Sequence, residues 1–422
     1  MKRAAIVSLP FIFLILLGDG FQFDLVFVKI GLTQISIVLV LFYSLVYLKP
    51  SQKTLHLNSP SLYAFIILCG VYSFIGIFYG NTFNDIREDL IGIVYLYMIY
   101  FCVVYLSPNE IKLLWKIIVA ASIVCVIKIF IVNYANFDIT WANDWQARKD
   151  PLPGLSWSRI VLRGGDAYLG FAFISIFACL VYNKNKLLQL IIIIAALLFV
   201  GFGIFISLSR TSYIGMFLGM LMIVFFHKYL HNTNDKYRIL LISGISLVGV
   251  IVIILTNDIM NYQELYLNRI STYDDAYSSM DWRGEENEIV YESVKSSFFL
   301  GKGLGASFYI EGSLSDKGDG RSLYTHNIFT WILLKMGLPG LLIFLFIQYE
   351  FTNKYYHIMN QGSMLRDDSV LAIILFTCFV NLFIISLTTN KYFLISGAMF
   401  LGLFFAYINV AYSMIGENEN RH

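Results

Sequence analysis

Arg321–Ile347 reads RSLYTHNIFTWILLKMGLPGLLIFLFI. From Asn327 onward it is an apolar run long enough to cross a bilayer as a helix. A histidine and an asparagine, His326 and Asn327, stand at the mouth of that run. What such a pair can do depends on the side of the membrane it faces, so topology comes first.

Composition agrees with a membrane setting. Of 422 residues, 58% are hydrophobic and 14% charged, whereas soluble chains carry roughly 25% charged residues. The net charge of +2 gives no reason to expect nucleic acid. All five cysteines fall inside apolar runs with no paired spacing, and read as small core residues. The N-terminal MKRAAIVSLPFIFLILLGDG has a basic start but no A-x-A-like cleavage site, so it reads as an uncleaved first span.

The pattern predicts an all-α, polytopic integral membrane protein with about twelve transmembrane helices. They fall near 4–18, 29–48, 61–80, 89–106, 113–132, 164–182, 187–206, 211–226, 238–256, 327–348, 370–389 and 393–412, in one transmembrane domain over 1–422. Short-loop cations set the orientation: Lys2, Arg3, Lys49, Lys53, Lys112, Lys116, Lys184, Lys186, Lys228, Lys236, Arg238, Lys354 and Arg366 share one side if the helices alternate. That side is the cytoplasm, with both termini there. Two long outer segments result, 133–163 and 257–325, the second expected to be folded around an amphipathic helix near Glu285–Phe299.

Two asymmetries follow. Of six histidines, only His326 faces outward. Eight of the twelve arginines, including Arg159, Arg163, Arg210, Arg283 and Arg321, also lie outside. That runs against the orientation rule, and guanidinium suits bidentate phosphate recognition, so an anionic outer ligand is expected.

Each candidate has two readings. His326 is a proton acceptor for a hydroxyl, or an interfacial histidine bonded to a loop carbonyl. Asn327 caps the following helix, or orients a sugar or the imidazole. Arg210, in the short turn of SLSRTSYIGM with hydroxyls on both sides, holds phosphate or snorkels to headgroups. Arg163, before Gly164 and Gly165, either faces a diphosphate at a helix start or pairs with Asp166. Arg159 forms an R-x10-G spacing with Gly170 that chance can supply. Arg283 either assists with phosphate or pairs with Glu286 or Asp281. Gly301, Gly303 and Gly305 form a tight loop rather than a nucleotide site, since no Walker lysine-serine pair or strand context accompanies them. Glu285, Glu286 and Glu288 read as a solvated helix face, Lys128 as a snorkelling side chain, and no metal or cofactor is expected.

The segment HNIFTWILLKMGLPG fits the H-N-x9-G-x-x-G pattern of the O-antigen polymerase and ligase family at His326, Asn327, Gly337 and Gly340. SLSRTS resembles that family's S-R-x-x segment. WR…FFLGKGLGASF resembles its outer-loop arginine followed by G-x-G-x-x-F, here Gly303, Gly305 and Phe308. The resemblance covers about 155–348.

It implies an inverting, metal-independent glycosyltransferase acting on glycans carried by undecaprenyl diphosphate at the periplasmic face of the bacterial inner membrane. Arg210 would hold the donor diphosphate with Arg283 assisting, and His326 would meet the acceptor hydroxyl. Arg163 is a looser match, because Asp166 stands where the family continues with Asn or Pro. A polymerase of lipid-linked repeat units is the leading expectation, with a chain-length regulator as a further partner. The close alternative is a ligase that moves polymer to lipid A–core. A glycan transporter or flippase is the alternative from another class, although no internal repeat supports it.

Overall fold

The computed structural model describes residues 2–17, 22–25, 28–47, 59–134, 147–151, 158–162, 166–182, 187–206, 210–231, 286–309, 321–360 and 366–419. Among them the helices are α1 Lys2–Leu17, α2 Leu32–Tyr47, α3 Pro60–Phe78, α4 Phe83–Val104, α5 Pro108–Tyr134, α6 Asp166–Tyr182, α7 Leu187–Ile206 and α8 Arg210–His231. They continue with α9 at 286–295, α10 Ile328–Asn360, α11 Arg366–Thr389 and α12 Ile395–Glu419. Three short antiparallel ladders join them. β1 Gln22–Leu25 pairs with β2 Val28–Gly31, β3 Ala147–Pro151 with β4 Ser158–Leu162, and β5 Phe308–Tyr309 with β6 Arg321–Ser322.

This is a helical, multi-pass membrane protein. Six helices among the described residues are long and apolar enough to cross a bilayer, within α3, α5, α7, α10, α11 and α12. Shorter apolar stretches lie in α2, α6 and α8. The expected spans near 4–18 and 89–106 are present as α1 and α4. However, α1 is only 16 residues long with Pro10 inside it, and α4 opens on the charged stretch FNDIRED. The expected start of the second span at 29 is instead strand β2, with helix only from Leu32. The expected span at 238–256 lies outside the described residues, as do most of 133–163 and 257–285. α10 runs past its expected end at 348 to Asn360.

The chain divides into two compact units. The first comprises 1–36, 112–279 and 370–381. In it α6 packs against α7 and α8, and from Ala167 to Val181 almost every α6 side chain is buried, as an all-round apolar sequence requires. Tyr168 stands edge-on to both Phe11 and Phe171. Gly215 of α8 lets the helix backbone come close to Asn381 of α11, where an added Cβ would sit 2.1 Å from Oδ1. Lys128 does not snorkel: its Nζ donates to the Leu16 carbonyl at 2.8 Å, capping the last turn of α1.

The second unit comprises 37–111, 280–369 and 382–422. There α12 packs along α4 and α10, and α3 lies against α10. Trp331, Phe65 and Phe344 close on Phe393 at its centre. At the far end of α10 a buried polar chain ties four helices. Lys354 Nζ reaches Glu350 at 2.5 Å and Asn409 Oδ1 at 2.7 Å. Asn409 Nδ2 donates to the Tyr100 hydroxyl at 2.8 Å. Glu350 also accepts from the Ser61 amide in the first turn of α3, where helix N–H groups favour a carboxylate. This network holds α10 helical beyond its apolar stretch. All five cysteines are free, four buried and Cys179 half-buried.

Candidate active site

The site is built at the start of α10. Asn327 Oδ1 accepts the Phe329 amide at 2.8 Å, and its carbonyl accepts from Trp331 N at 3.1 Å and from the Thr330 and Thr325 hydroxyls at 2.9 Å each. Asparagine is thus the N-cap of the helix. His326, one residue earlier, is fixed where the cap ends.

Four contacts hold His326. Its Nδ1 lies 2.7 Å from Glu286 Oε2, and its main-chain N–H donates to Glu286 Oε1 at 2.9 Å. Its carbonyl accepts from Asn390 N at 2.9 Å. Tyr324 stands edge-on to the imidazole at 5.4 Å and donates its hydroxyl hydrogen to the Thr389 carbonyl. The imidazole keeps 27% side-chain exposure, while Glu286 keeps 3%. A carboxylate that accepts a hydrogen bond from Nδ1–H fixes the ring in the tautomer whose basic nitrogen is Nε2. That is the arrangement of an oriented general base.

Glu286 corrects the expectation of a solvated acidic face. Residues 286, 290 and 294 form one stripe of α9, and Val290 and Val294 pack with Leu334, Ala306 and Phe308. Glu286 continues that stripe inward, while Glu288 and Glu292 point outward.

The glycine segment that follows is the expected tight loop, and its role is to dock on broken helix. Gly337 has φ 59° and ψ −157° inside α10, and Pro339 has no N–H to offer the Lys335 carbonyl. The orphaned carbonyls of Leu334 and Lys335 accept from Lys302 N at 2.8 Å and Gly303 N at 2.9 Å. Leu338 N turns to the Phe298 carbonyl at 2.9 Å. Gly303 has φ +80°, and a Cβ there would lie 2.1 Å from Gly76 N of α3. Leu304 N bonds the Tyr72 carbonyl, and Asn81 Nδ2 donates to the carbonyls of Lys302 and Leu304. The loop meets α10 at Leu334, Lys335 and Leu338, roughly 9–15 Å from its first residue at 1.5 Å per residue. Non-helical backbone at such depth requires internal partners of this kind.

Two carboxylates of α4 complete this side. Asp85 lies 3.9 Å from Arg321 Nη1, whose side chain is 43% exposed. Asp89 Oδ2 lies 2.5 Å from Lys335 Nζ. Neither Asp89 nor Lys335 was among the expected candidates, though each is a charge in or beside an apolar run.

The remaining expected residues are placed as follows. Arg210 is the first residue of α8, at its N-terminus, in the first unit. Arg159 lies in β4, opposite Asp150 of β3. Arg163 and Arg283 lie outside the described residues. His326 and Asn327 come together with Glu286; the arginines are not among the groups described around them.

Residues 195–345 match the family model described as O-Antigen ligase. This stretch contains Arg210, Arg283, Glu286, His326, Asn327, Gly337 and Gly340, and over it the chain is similar to the O-antigen polymerase and ligase family. No curated protein matches the chain.

Proposed function

We propose that the protein is a membrane glycosyltransferase that joins undecaprenyl-diphosphate-linked oligosaccharide repeat units at the periplasmic face of the bacterial inner membrane. The observation that carries this reading is the His326–Glu286 pair, within the family-matched segment and at the start of a membrane-spanning helix.

The chemistry is a single displacement. The acceptor sugar hydroxyl attacks the anomeric carbon of the donor, and the bond from that carbon to the diphosphate oxygen breaks. The anomeric configuration inverts. The hydroxyl proton passes to His326 Nε2, and Glu286 stabilises the resulting imidazolium. Undecaprenyl diphosphate leaves with its charge met by Arg210, assisted by Arg283, with Arg163 and Arg159 as further contacts to the donor. Since the donor already carries a good leaving group, placement and charge neutralisation supply most of the rate, and guanidinium groups can do this without a metal. Asn327 sets the position of His326 through the helix cap and lies beside the acceptor. The bilayer supplies both lipid-linked substrates, and a chain-length regulator would set product length.

The ligase reading is the second one, favoured by the description of the matching family. It uses the same bond-making step with lipid A–core as acceptor. The test is His326→Ala in cells, followed by gels of surface and lipid-linked glycans. Surface core bearing one repeat without a ladder means a polymerase. Long polymer trapped on the carrier with bare core means a ligase. An unchanged ladder from a stably expressed variant removes His326 from the mechanism.

A further inference from the structure

Lys335 is a fully buried lysine, with 0% side-chain exposure, in the middle of an apolar stretch. Its Nζ lies 2.5 Å from Asp89 Oδ2 and donates to the Ala306 carbonyl at 3.1 Å. The Trp331 ring lies 5.4 Å from the same ammonium. Asp89 Oδ2 also accepts the Gly305 N–H at 2.6 Å. The Lys335 carbonyl, freed by the helix break, takes the Gly303 N–H. One lysine and its carboxylate therefore meet loop backbone groups at 303, 305 and 306.

The same loop carries Ala306 and Phe308 into the cluster that holds Val290 and Val294. These valines share the α9 stripe with Glu286. A closed circuit results: His326 immediately precedes the N-cap of α10, Lys335 lies about two turns along that helix, the loop hangs on Lys335 and Asp89, α9 rests on the loop, and Glu286 returns to His326. A buried ion pair is weak support for stability by itself, because charge burial offsets much of its attraction. What this pair supplies is a defined register between α9 and α10.

We propose that Lys335 and Asp89 are positioning residues that set the Glu286 carboxylate against His326. Their value for catalysis rests on the reading of His326 as proton acceptor, whereas their effect on the His326 environment does not. The two are measured separately.

The first measurement needs no substrate. The full-length protein in detergent is treated with diethyl pyrocarbonate, and the rate of carbethoxylation at His326 is followed by peptide mass spectrometry. The neutral variant Asp89→Asn/Lys335→Met leaves no lone buried charge and keeps an acceptor for Gly305 N–H. It should change the His326 rate by about threefold or more, in the same direction as Glu286→Gln. Combining it with Glu286→Gln should add almost nothing, because both act through one contact. A wild-type His326 rate in the folded variant, or effects that multiply independently, overturns the proposal. Asp89→Asn alone carries the same comparison if the double variant does not accumulate in the membrane.

The second measurement is glycan elongation with lipid-linked repeat unit purified from the host. The neutral variant should lower kcat about tenfold with KM unchanged, the pattern of a lost transition-state contact. Unchanged kcat removes the catalytic role. If His326 reactivity is coupled as expected but the wild-type protein transfers no glycan, the proposed function fails while the positioning stands.

Discussion

Glu286 grips His326 with both carboxylate oxygens, Oε2 2.7 Å from Nδ1 and Oε1 2.9 Å from the main-chain nitrogen. One oxygen fixes the ring and the other fixes the residue that carries it. The imidazole can neither rotate about its side-chain bonds nor shift with the loop without losing a charge-assisted hydrogen bond.

Glu286→Gln is accordingly expected to cost activity out of proportion to stability. The amide can donate to Nδ1 and thereby select the other tautomer, with the proton on Nε2. Elongation should fall by about 10²–10⁴-fold, the range for a lost general base. Thermal unfolding of the purified variant should remain close to wild type. Equal losses in both measurements would make Glu286 a structural residue.

Asn327 separates a cap from a substrate contact. Asn327→Ala should lower stability by about 1 kcal/mol through the lost Phe329 N–H acceptor. Asn327→Ser, which caps with a hydroxyl, should restore that stability. If Asn327 also touches the acceptor sugar, Asn327→Ser will regain unfolding temperature but not KM. Restoration of both leaves only the cap.

Gly303 is expected to be intolerant and Gly70 permissive. Alanine at Gly303 must adopt φ +80° and place a Cβ 2.1 Å from the Gly76 nitrogen. Strain of about 1–3 kcal/mol adds to that clash, so Gly303→Ala should unfold early or fail to accumulate. Gly70, mid-helix in α3, has nothing within 4 Å of an added Cβ, and Gly70→Ala should stabilise by roughly 0.5–1 kcal/mol. Thermal unfolding of the pair of variants checks the loop geometry against the generic cost of losing glycine.

Arg210 tests the charge-neutralising half of the mechanism. Arg210→Lys keeps the charge but loses the planar fork, so elongation should drop by about 10-fold or more, and Arg210→Ala further. Saturating chelator should leave the wild-type rate unchanged. Wild-type activity in Arg210→Lys, or its loss under chelator, would require another means of stabilising the leaving diphosphate.

Much of this architecture is legible in residue pattern. Apolar runs locate α3, α5, α6, α7, α8 and α11 to within about five residues, and the starts of α10 and α12 to within two, because bilayer thickness and helix rise set their length. The end of α10 was not legible. Its extension rests on Glu350, Lys354 and Asn409, which meet only after α3, α4 and α12 are packed. His326 stands out in sequence as the sole histidine that the loop-cation pattern would put outside, yet its partner does not. Glu286 sits among other acids, and only its four-residue spacing to Val290 and Val294 marks it as inward. Lys335 and Asp89 carried a readable signal, isolated charge in or beside apolar sequence. Their pairing joins residues far apart in the chain, which periodicity cannot show.

The most direct measurement is reconstitution of the purified chain in vesicles with undecaprenyl-diphosphate-linked repeat unit as both donor and acceptor. The account predicts lipid-linked products longer by whole repeats from the wild-type protein, released undecaprenyl diphosphate in equal amount, and neither from His326→Ala. Products that form only when lipid A–core is supplied would contradict the polymerase assignment. Elongation undiminished in His326→Ala would contradict the mechanism itself.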